Sequence, residues 1–340
     1  MLRFTLATLG MVVLLALALA VGGVLPELAL FYVTVFAYVM DRLKALAAPD
    51  HPGSEFPAGD GLSVFLALVH LPLLYGGVYV IASDIASTAE KTLIFLALSL
   101  FIGQVGNSNA HELIHRSNRW LRRLGVAVYV SILFGHHASA HVRVHHVHAA
   151  TARDPNSART GESFYAFALR AWIGALRAGY RAESRLRRGK GLHPYAGYMA
   201  GAAVSLMLGA VIGGLAGLAS LLAIAVYAQA QLLLSDYVQH YGLRRREISP
   251  GKFEPVGPQH SWNAPHGFSS ALMLNAPRHS DHHAHPARPY PGLDLNRQTM
   301  PILPYSLPVM AVIALIPPLW RRVMDRRARR WRDRPDPAYG

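Results

Sequence analysis

The sequence predicts an all-α integral membrane protein with about six transmembrane helices, and three observations carry that prediction. Just over half of the 340 residues are hydrophobic and only 15% are charged, against roughly 25% in a soluble domain. The apolar residues gather into runs near the ~20 residues that cross a bilayer core. The positive charge, a net +14, lies mainly in alternate loops and in the C-terminal tail.

The first run, residues 6–21, follows Arg3 and could be taken for a signal peptide. No small-residue cleavage site follows it, and a second run at 26–40 begins almost at once, so a membrane hairpin is expected. Further spans are expected at 62–82, 92–109, 195–212 and 215–238. Two shorter stretches, 121–134 and 300–319, are compatible with core, interfacial or spanning helices. Prolines 301, 304, 308, 317 and 318 argue against a straight span in the second of these. Arg42 and Lys44, thirteen arginines between His115 and His193, and the tail "RRVMDRRARRWRDR" all fall on one side if the N-terminus is inside. The intervening loops are short and nearly free of Lys and Arg. The expected organisation is one membrane domain, 1–340, with 111–193 and 239–340 mainly at the cytoplasmic face. No basic–aromatic RNA-reading motif occurs, so the charge is read as lipid-facing and no nucleic-acid partner is expected.

The chain has 18 histidines and no cysteine. Disulfides, thiolate metal sites, iron–sulfur clusters and cysteine nucleophiles are therefore excluded within it, and any metal must be held by nitrogen and oxygen. "HELIH" places His111 and His115 four apart, on one face of a helix. By itself HExxH also fits a zinc peptidase with Glu112 as base. "HVRVHH" supplies His141, His145 and His146, a lone His240 stands in "VQHYG", and "RHSDHHAH" supplies His279, His282, His283 and His285. A mononuclear zinc needs three or four ligands, which is fewer than this chain offers. Two metals sharing about nine imidazoles is the economical reading, and imidazole without thiolate suits iron, copper, nickel or zinc.

These motifs, with "HVRVHHVHAATARDPNSARTGESF", "HYGLRR", "PQHSWNAPHGFSSALML" and "PRHSDHHAHPARPY", resemble the histidine boxes of the membrane-bound di-iron desaturase and hydroxylase superfamily. The finer resemblance is to alkane 1-monooxygenases of the AlkB type and their xylene-monooxygenase relatives. It runs from about the third span to Tyr290. The resemblance implies two non-haem irons held by His111, His115, His141, His145, His146, His240, His279, His282 and His283. Two positions depart from the family's usual glutamates: Ala140 before the second box and Gln239 before His240.

Beside those nine, Glu112, Asp236, Gln239 and Asp281 are candidates to hydrogen-bond the ligand imidazoles, as are Asp154 and Glu162 in "RDPNSARTGE". His136, His137, His148 and His285 lie outside the matched pattern, where neighbouring or solvent-facing roles are expected. His260 and His266 belong to a family motif with an expected structural or pocket-forming role. His70 reads as a hydrogen-bonded core residue, and His51 and His193 as loop residues. Phe31, Tyr32, Phe36, Leu66 and Leu73 are candidate walls of a substrate channel between spans.

The implied function is a membrane monooxygenase that inserts one oxygen atom of O2 into a terminal alkyl or methyl C–H of an apolar substrate. Without cysteines, electrons would come from a separate carrier, rubredoxin or ferredoxin, with its reductase. The expected location is a bacterial inner membrane with both termini cytoplasmic. Rival readings are a xylene or terpene methyl monooxygenase or a fatty-acyl desaturase on the same scaffold. Of another class are a membrane metallopeptidase built on HExxH and a non-catalytic metal carrier.

Overall fold

In the computed structural model, which describes residues 1–43 and 59–332, helices account for nearly all regular structure. Among the described residues the only strands form a short hairpin, Glu247–Ser249 with Lys252–Phe253. Lys44 and His51 lie outside the described residues.

Helix α1, Leu2–Val21, buries Met11 and Leu15 completely in the protein core. It belongs to the fold, as the hairpin reading expected. The chain turns at Gly22 and Gly23, both at positive φ, and enters α2 over residues 25–42. That helix is interrupted by a π turn at Tyr32–Phe36. Helix α3 is Gly59–Ala82 and α4 is Thr88–Ile114. Ser87 caps α4 reciprocally with Glu90, whose Oε1 also accepts from the Gly23 N–H at 3.0 Å. One carboxylate thus ties two loops together.

Helix α5, Arg119–Ser131, resolves the first ambiguous stretch. It presents Arg119, Arg122 and Arg123 outward and buries Gly125, Val128 and Tyr129, so it is an amphipathic helix lying on the bundle. Helix α6 occupies residues 136–148 and α7 is Phe164–Arg187. Helix α8, Pro194–His240, covers the fifth and sixth predicted spans and breaks at Gly213 and Gly214, between 212 and 215. Gly214 takes φ +58°. The two arms then fold back so closely that a Cβ on Gly217 would strike the Gly209 carbonyl.

Helices α1, α3, α4 and α8 are long and apolar enough to cross a membrane, with α8 supplying two arms. The ends of these helices share two levels. Gly23 meets Glu90 and Gly213 abuts Ala82 at one level. At the other, Phe4 packs on Tyr290 at 4.9 Å and Asp60 pairs with Arg116 at 3.0 Å. The histidine motifs all lie at this second level. Beyond α8, α9 (Gly267–Leu272) and α10 (His279–Ala284) close over that end. The proline-rich stretch forms α11, Leu307–Ala314, and Pro317 then begins α12, Pro317–Arg332. It is not one span, because proline starts helices more readily than it continues them.

Candidate metal centre

Each helix delivers its histidines at an end or at an irregularity. His111 lies in the last turn of α4 and His115 caps it. In α6 the backbone takes a π turn from His141 to His145. A regular α-helix would stack His141 over His145, four residues on. The wider turn brings His146 alongside His141 as well, so that His145 and His146 flank it, their rings 5.1 and 4.6 Å from its own. His240 is the last residue of α8. Helix α10 supplies His279, His282 and His283, so residues three and four apart face inward together.

The nine histidines converge as two groups, His111, His115, His141, His146 and His282 in one, and His145, His240, His279 and His283 in the other. Within each group one nitrogen per ring lies within 4.8 Å of all the others. The Nε2 atoms of His111 and His141 are 2.7 Å apart, those of His141 and His146 2.9 Å, and those of His146 and His282 3.1 Å. In the second group His240–His279 is 3.0 Å and His279–His283 is 3.1 Å. Two nitrogens bound at about 2.1 Å to one ion with a right angle between them would sit about 3.0 Å apart. The spacing therefore fits nitrogen atoms gathered around a cation. Nε2 of His115 and of His145 are buried with no hydrogen-bond partner, as expected of lone pairs reserved for a metal. Burial, reinforced by the neighbouring imidazoles, pushes His141, His146, His279, His282 and His283 well below the usual histidine range. The neutral ring is the metal-binding form.

His145 is the exception. Burial pushes it down, but the Asp154 carboxylate, 2.9 Å from Nδ1, outweighs burial and the net shift is upward. Asp154 is buried and accepts also from Ser157 Oγ at 2.6 Å and the Asn156 N–H at 3.0 Å. This fixes the proton on Nδ1 and leaves Nε2 as the donor to a metal.

The other acidic and amide candidates do not contact the nine rings in this way. Glu112 Oε1 pairs with Arg116 at 2.9 Å and accepts from the Tyr290 N–H at 3.1 Å. That orientation does not suit the general base of a zinc peptidase. Asp236 accepts from Asn156 Nδ2 at 2.6 Å, linking it indirectly to Asp154. Gln239 bonds Ser235 and the Ala276 carbonyl. Asp281 holds His285, Arg288 and the Asp294 N–H, bracing the loop after α10. Glu162 binds Arg170. Proximity in sequence selected these residues, but tertiary partners claim their oxygens.

His285 has an exposed side chain and pairs with Asp281. His136 and His137 are buried, His136 against Trp172 and His137 stacked on Phe134 at 5.0 Å. His70 is a core residue bonded to Ser131 at 2.9 Å, as expected. His260 accepts from the Gly257 N–H and contacts Glu254, a structural role.

A cavity of about 310 Å³ opens beside the histidines, and its wall includes His111 from one group and His279 from the other. Its size falls within the range of small-molecule sites. None of Phe31, Tyr32, Phe36, Leu66 or Leu73 lines it. Leu66 and Leu73 are core residues, Phe31 is 49% exposed on the outer surface, and Tyr32 and Phe36 pack on Phe268. The α2 wall is instead Val33, Thr34, Ala37, Tyr38 and Asp41, a stripe displaced by about one position around the helix. Neither this stripe nor His137, which also lines the cavity, was legible as a wall from sequence.

Residues 91–314 match the family model described as fatty acid desaturase. Alkane 1-monooxygenase 1 of Pseudomonas aeruginosa is 34% identical over 284 residues, covering 80% of this chain and 74% of that protein. Alkane 1-monooxygenase 1 of Alcanivorax borkumensis is 33% identical over 278 residues, 78% and 68% of the two chains. The xylene/toluene monooxygenase hydroxylase component of Pseudomonas putida is 28% identical over 223 residues, 62% and 57% of the two chains.

Proposed function

Because the chain belongs to the fatty acid desaturase family, on its alkane 1-monooxygenase branch, we propose that it is a membrane-bound, non-haem di-iron monooxygenase. It converts a terminal alkyl or methyl C–H of an apolar substrate to an alcohol, using O2, two electrons and two protons, with water as the second product. The observation that carries this reading is the pair of all-imidazole groups flanking one cavity, each giving it a wall residue.

His111, His115, His141, His146 and His282 would hold one iron, and His145, His240, His279 and His283 the other. Two irons there would supply the O2 activation that an unactivated C–H bond requires and that protein acids and bases cannot provide. Asp154 holds His145 in the tautomer that offers Nε2. Asn263 accepts from the Ser280 N–H at 2.9 Å, and the buried Arg278 donates to the Leu293 carbonyl at 2.6 Å, so the α10 histidines are held from behind. The cavity brings one end of the substrate to His111 and His279. These 340 residues contain no cysteine and hold no iron–sulfur donor of their own; the electrons come from a rubredoxin or ferredoxin with its reductase. The arginine-rich, histidine-bearing end faces the cytoplasm of a bacterial inner membrane, with both termini on that side.

The similarity to a xylene/toluene monooxygenase component favours aryl methyl groups as a second substrate class. Whole cells given an n-alkane ladder, xylene and cymene, with chromatography of products, separate the two. Primary alcohols with a label from ¹⁸O2 are expected. An alkene without alcohol would sink the hydroxylase reading in favour of a desaturase, and zinc without iron would sink the di-iron reading.

A further inference from the structure

Among the described residues five acidic side chains are buried: Glu112, Asp154, Glu183, Asp236 and Asp281. Three of them have an arginine, Glu112 with Arg116 at 2.9 Å, Glu183 with Arg187 at 2.8 Å and Asp281 with Arg288 at 2.8 Å. Asp154 and Asp236 are 2% and 5% exposed, and among the described residues neither pairs with an arginine or lysine. One residue joins them. Asn156 donates its backbone N–H to Asp154 Oδ1 at 3.0 Å and its side-chain Nδ2 to Asp236 Oδ2 at 2.6 Å. The chain of bonds ends on His145, whose Nδ1 donates to Asp154 Oδ2. Asp236 also stands one helical turn before His240 in α8, a second member of the same group. Buried charges are paired or sit beside a metal, and two carboxylates with one amide between them need a cation close by. The other group is different. Among the described residues none of its five rings is paired with a carboxylate, and Glu112, which lies between His111 and His115 in sequence, has its charge met by Arg116.

We infer that Asp154 and Asp236 together are the counter-charge of the His145–His240–His279–His283 position and make the two metal positions unequal. Of two irons, the one held there takes the third positive charge first. The inference rests on the di-iron reading and deepens it. Asp236 hydrogen-bonds none of the nine rings, so it is a positioning residue that acts through Asn156 and Asp154. Loss of one electron from a pair of Fe(II) ions leaves one Fe(III), and fixed negative charges favour that ion on their own side. In a buried site the preference is large, because the charges are screened far less than in water.

The test reads where the charge sits, without turnover. Full-length protein in lipid nanodiscs is loaded anaerobically with two ⁵⁷Fe(II) per chain, and ferricyanide then accepts one electron per chain. Mössbauer spectra give the ferric share of each position. In the wild type one position should hold roughly tenfold more ferric iron than the other, or beyond. Asp236→Asn keeps the shape and an acceptor for Asn156 but removes a charge. The ferric ratio should then fall by roughly tenfold, which is ~59 mV for one electron. Asp154→Asn should move the ratio in the same direction. Equal ferric shares in the wild type would overturn the inference, as would a ratio that Asp236→Asn leaves unmoved or raises. A protonated Asp236 predicts an unmoved ratio. Protein unable to hold two irons would sink the di-iron reading and this inference with it, whereas two irons with equal ferric shares sink this inference alone.

Discussion

Replacing Asp154 by Asn should weaken one metal position and spare the other. Asp154 Oδ2 accepts from His145 Nδ1 and Ser157 Oγ, and Oδ1 accepts from the Asn156 N–H. Asparagine keeps the shape but turns one of these oxygens into an NH2 group. With the NH2 at the Oδ1 position, the bond to His145 survives as a neutral one and the Asn156 N–H is left unmatched. With it at the Oδ2 position, His145 would be driven into the tautomer that carries its proton on Nε2. The first arrangement is cheaper. A hydrogen bond to a charged acceptor contributes about 1.5–3 kcal/mol and a neutral one about 0.5–1.5. The loss is thus about 1–1.5 kcal/mol, close to tenfold in affinity and at the low end of what losing an outer partner of a metal ligand typically costs. Anaerobic equilibrium dialysis of the metal-free protein against Fe(II), with iron counted per chain, reads both positions at once. The wild type should bind two irons. Asp154→Asn should keep one at wild-type affinity and bind the other about tenfold more weakly, with helical circular dichroism unchanged. If both positions weaken together in a folded protein, or neither does, the assignment of Asp154 to the His145 group is wrong.

His282→Ala should abolish alkane oxidation and reduce iron toward one per chain, whereas a peptidase built on HExxH would keep its zinc and its activity; metal analysis and product chromatography distinguish them. Glu112→Gln should lower unfolding stability by about 1–2 kcal/mol, because it weakens the links to Arg116 and Tyr290. Activity per iron-loaded chain should fall by less than threefold, against the 10²–10⁴ expected on removing a general base. Ala37→Phe should shift the product profile toward shorter or narrower substrates, since Ala37 lines the cavity. Phe31→Ala, on the outer surface, should leave that profile in place, and a substrate-ladder assay compares the two.

Five of the six expected spans were legible because each is a long apolar run, and the break at Gly213–Gly214 because two glycines punctuate such a run; the second, 26–40, is helical but is not among the helices long and apolar enough to cross a membrane. The histidine motifs were legible because ligand spacing and motif order both survive in one dimension. The partners of these residues were much harder to read. Asp154, one of six candidates named from sequence, does meet His145 nine residues earlier, but which of the six would do so depended on how the chain after α6 folds back. Asp281, beside His282 in sequence, has its oxygens turned to His285, Arg288 and Asp294. The α2 cavity wall failed by a small rotation. Periodicity locates a stripe, but the choice between Tyr32 and Phe36 on one side and Val33 and Ala37 on the other depends on which neighbour each packs against. Here Phe268 of α9 takes the aromatic pair, and the smaller residues face the cavity.

The π turn in α6 joins sequence most directly to the proposed chemistry. One motif, "HVRVHH", must serve two metal positions from a single helix. Regular α geometry would stack His141 on His145 and send His146 roughly 100° away. The extra residue in the turn at His141–His145 puts His141 and His146 in register, with their Nε2 atoms 2.9 Å apart. His145 stays beside His141, ring centroids 5.1 Å apart, and its other neighbour is His240, whose ring lies 4.7 Å away. Asp154 then matters for more than the tautomer of one ring. It secures the single imidazole of this motif that crosses to the second group, so the separation into five and four ligands depends on the π turn and on Asp154 together. A substitution that restored a regular helix through Val142–Val144 would carry His146 roughly 140° round the axis from His141, and the first group would lose a donor.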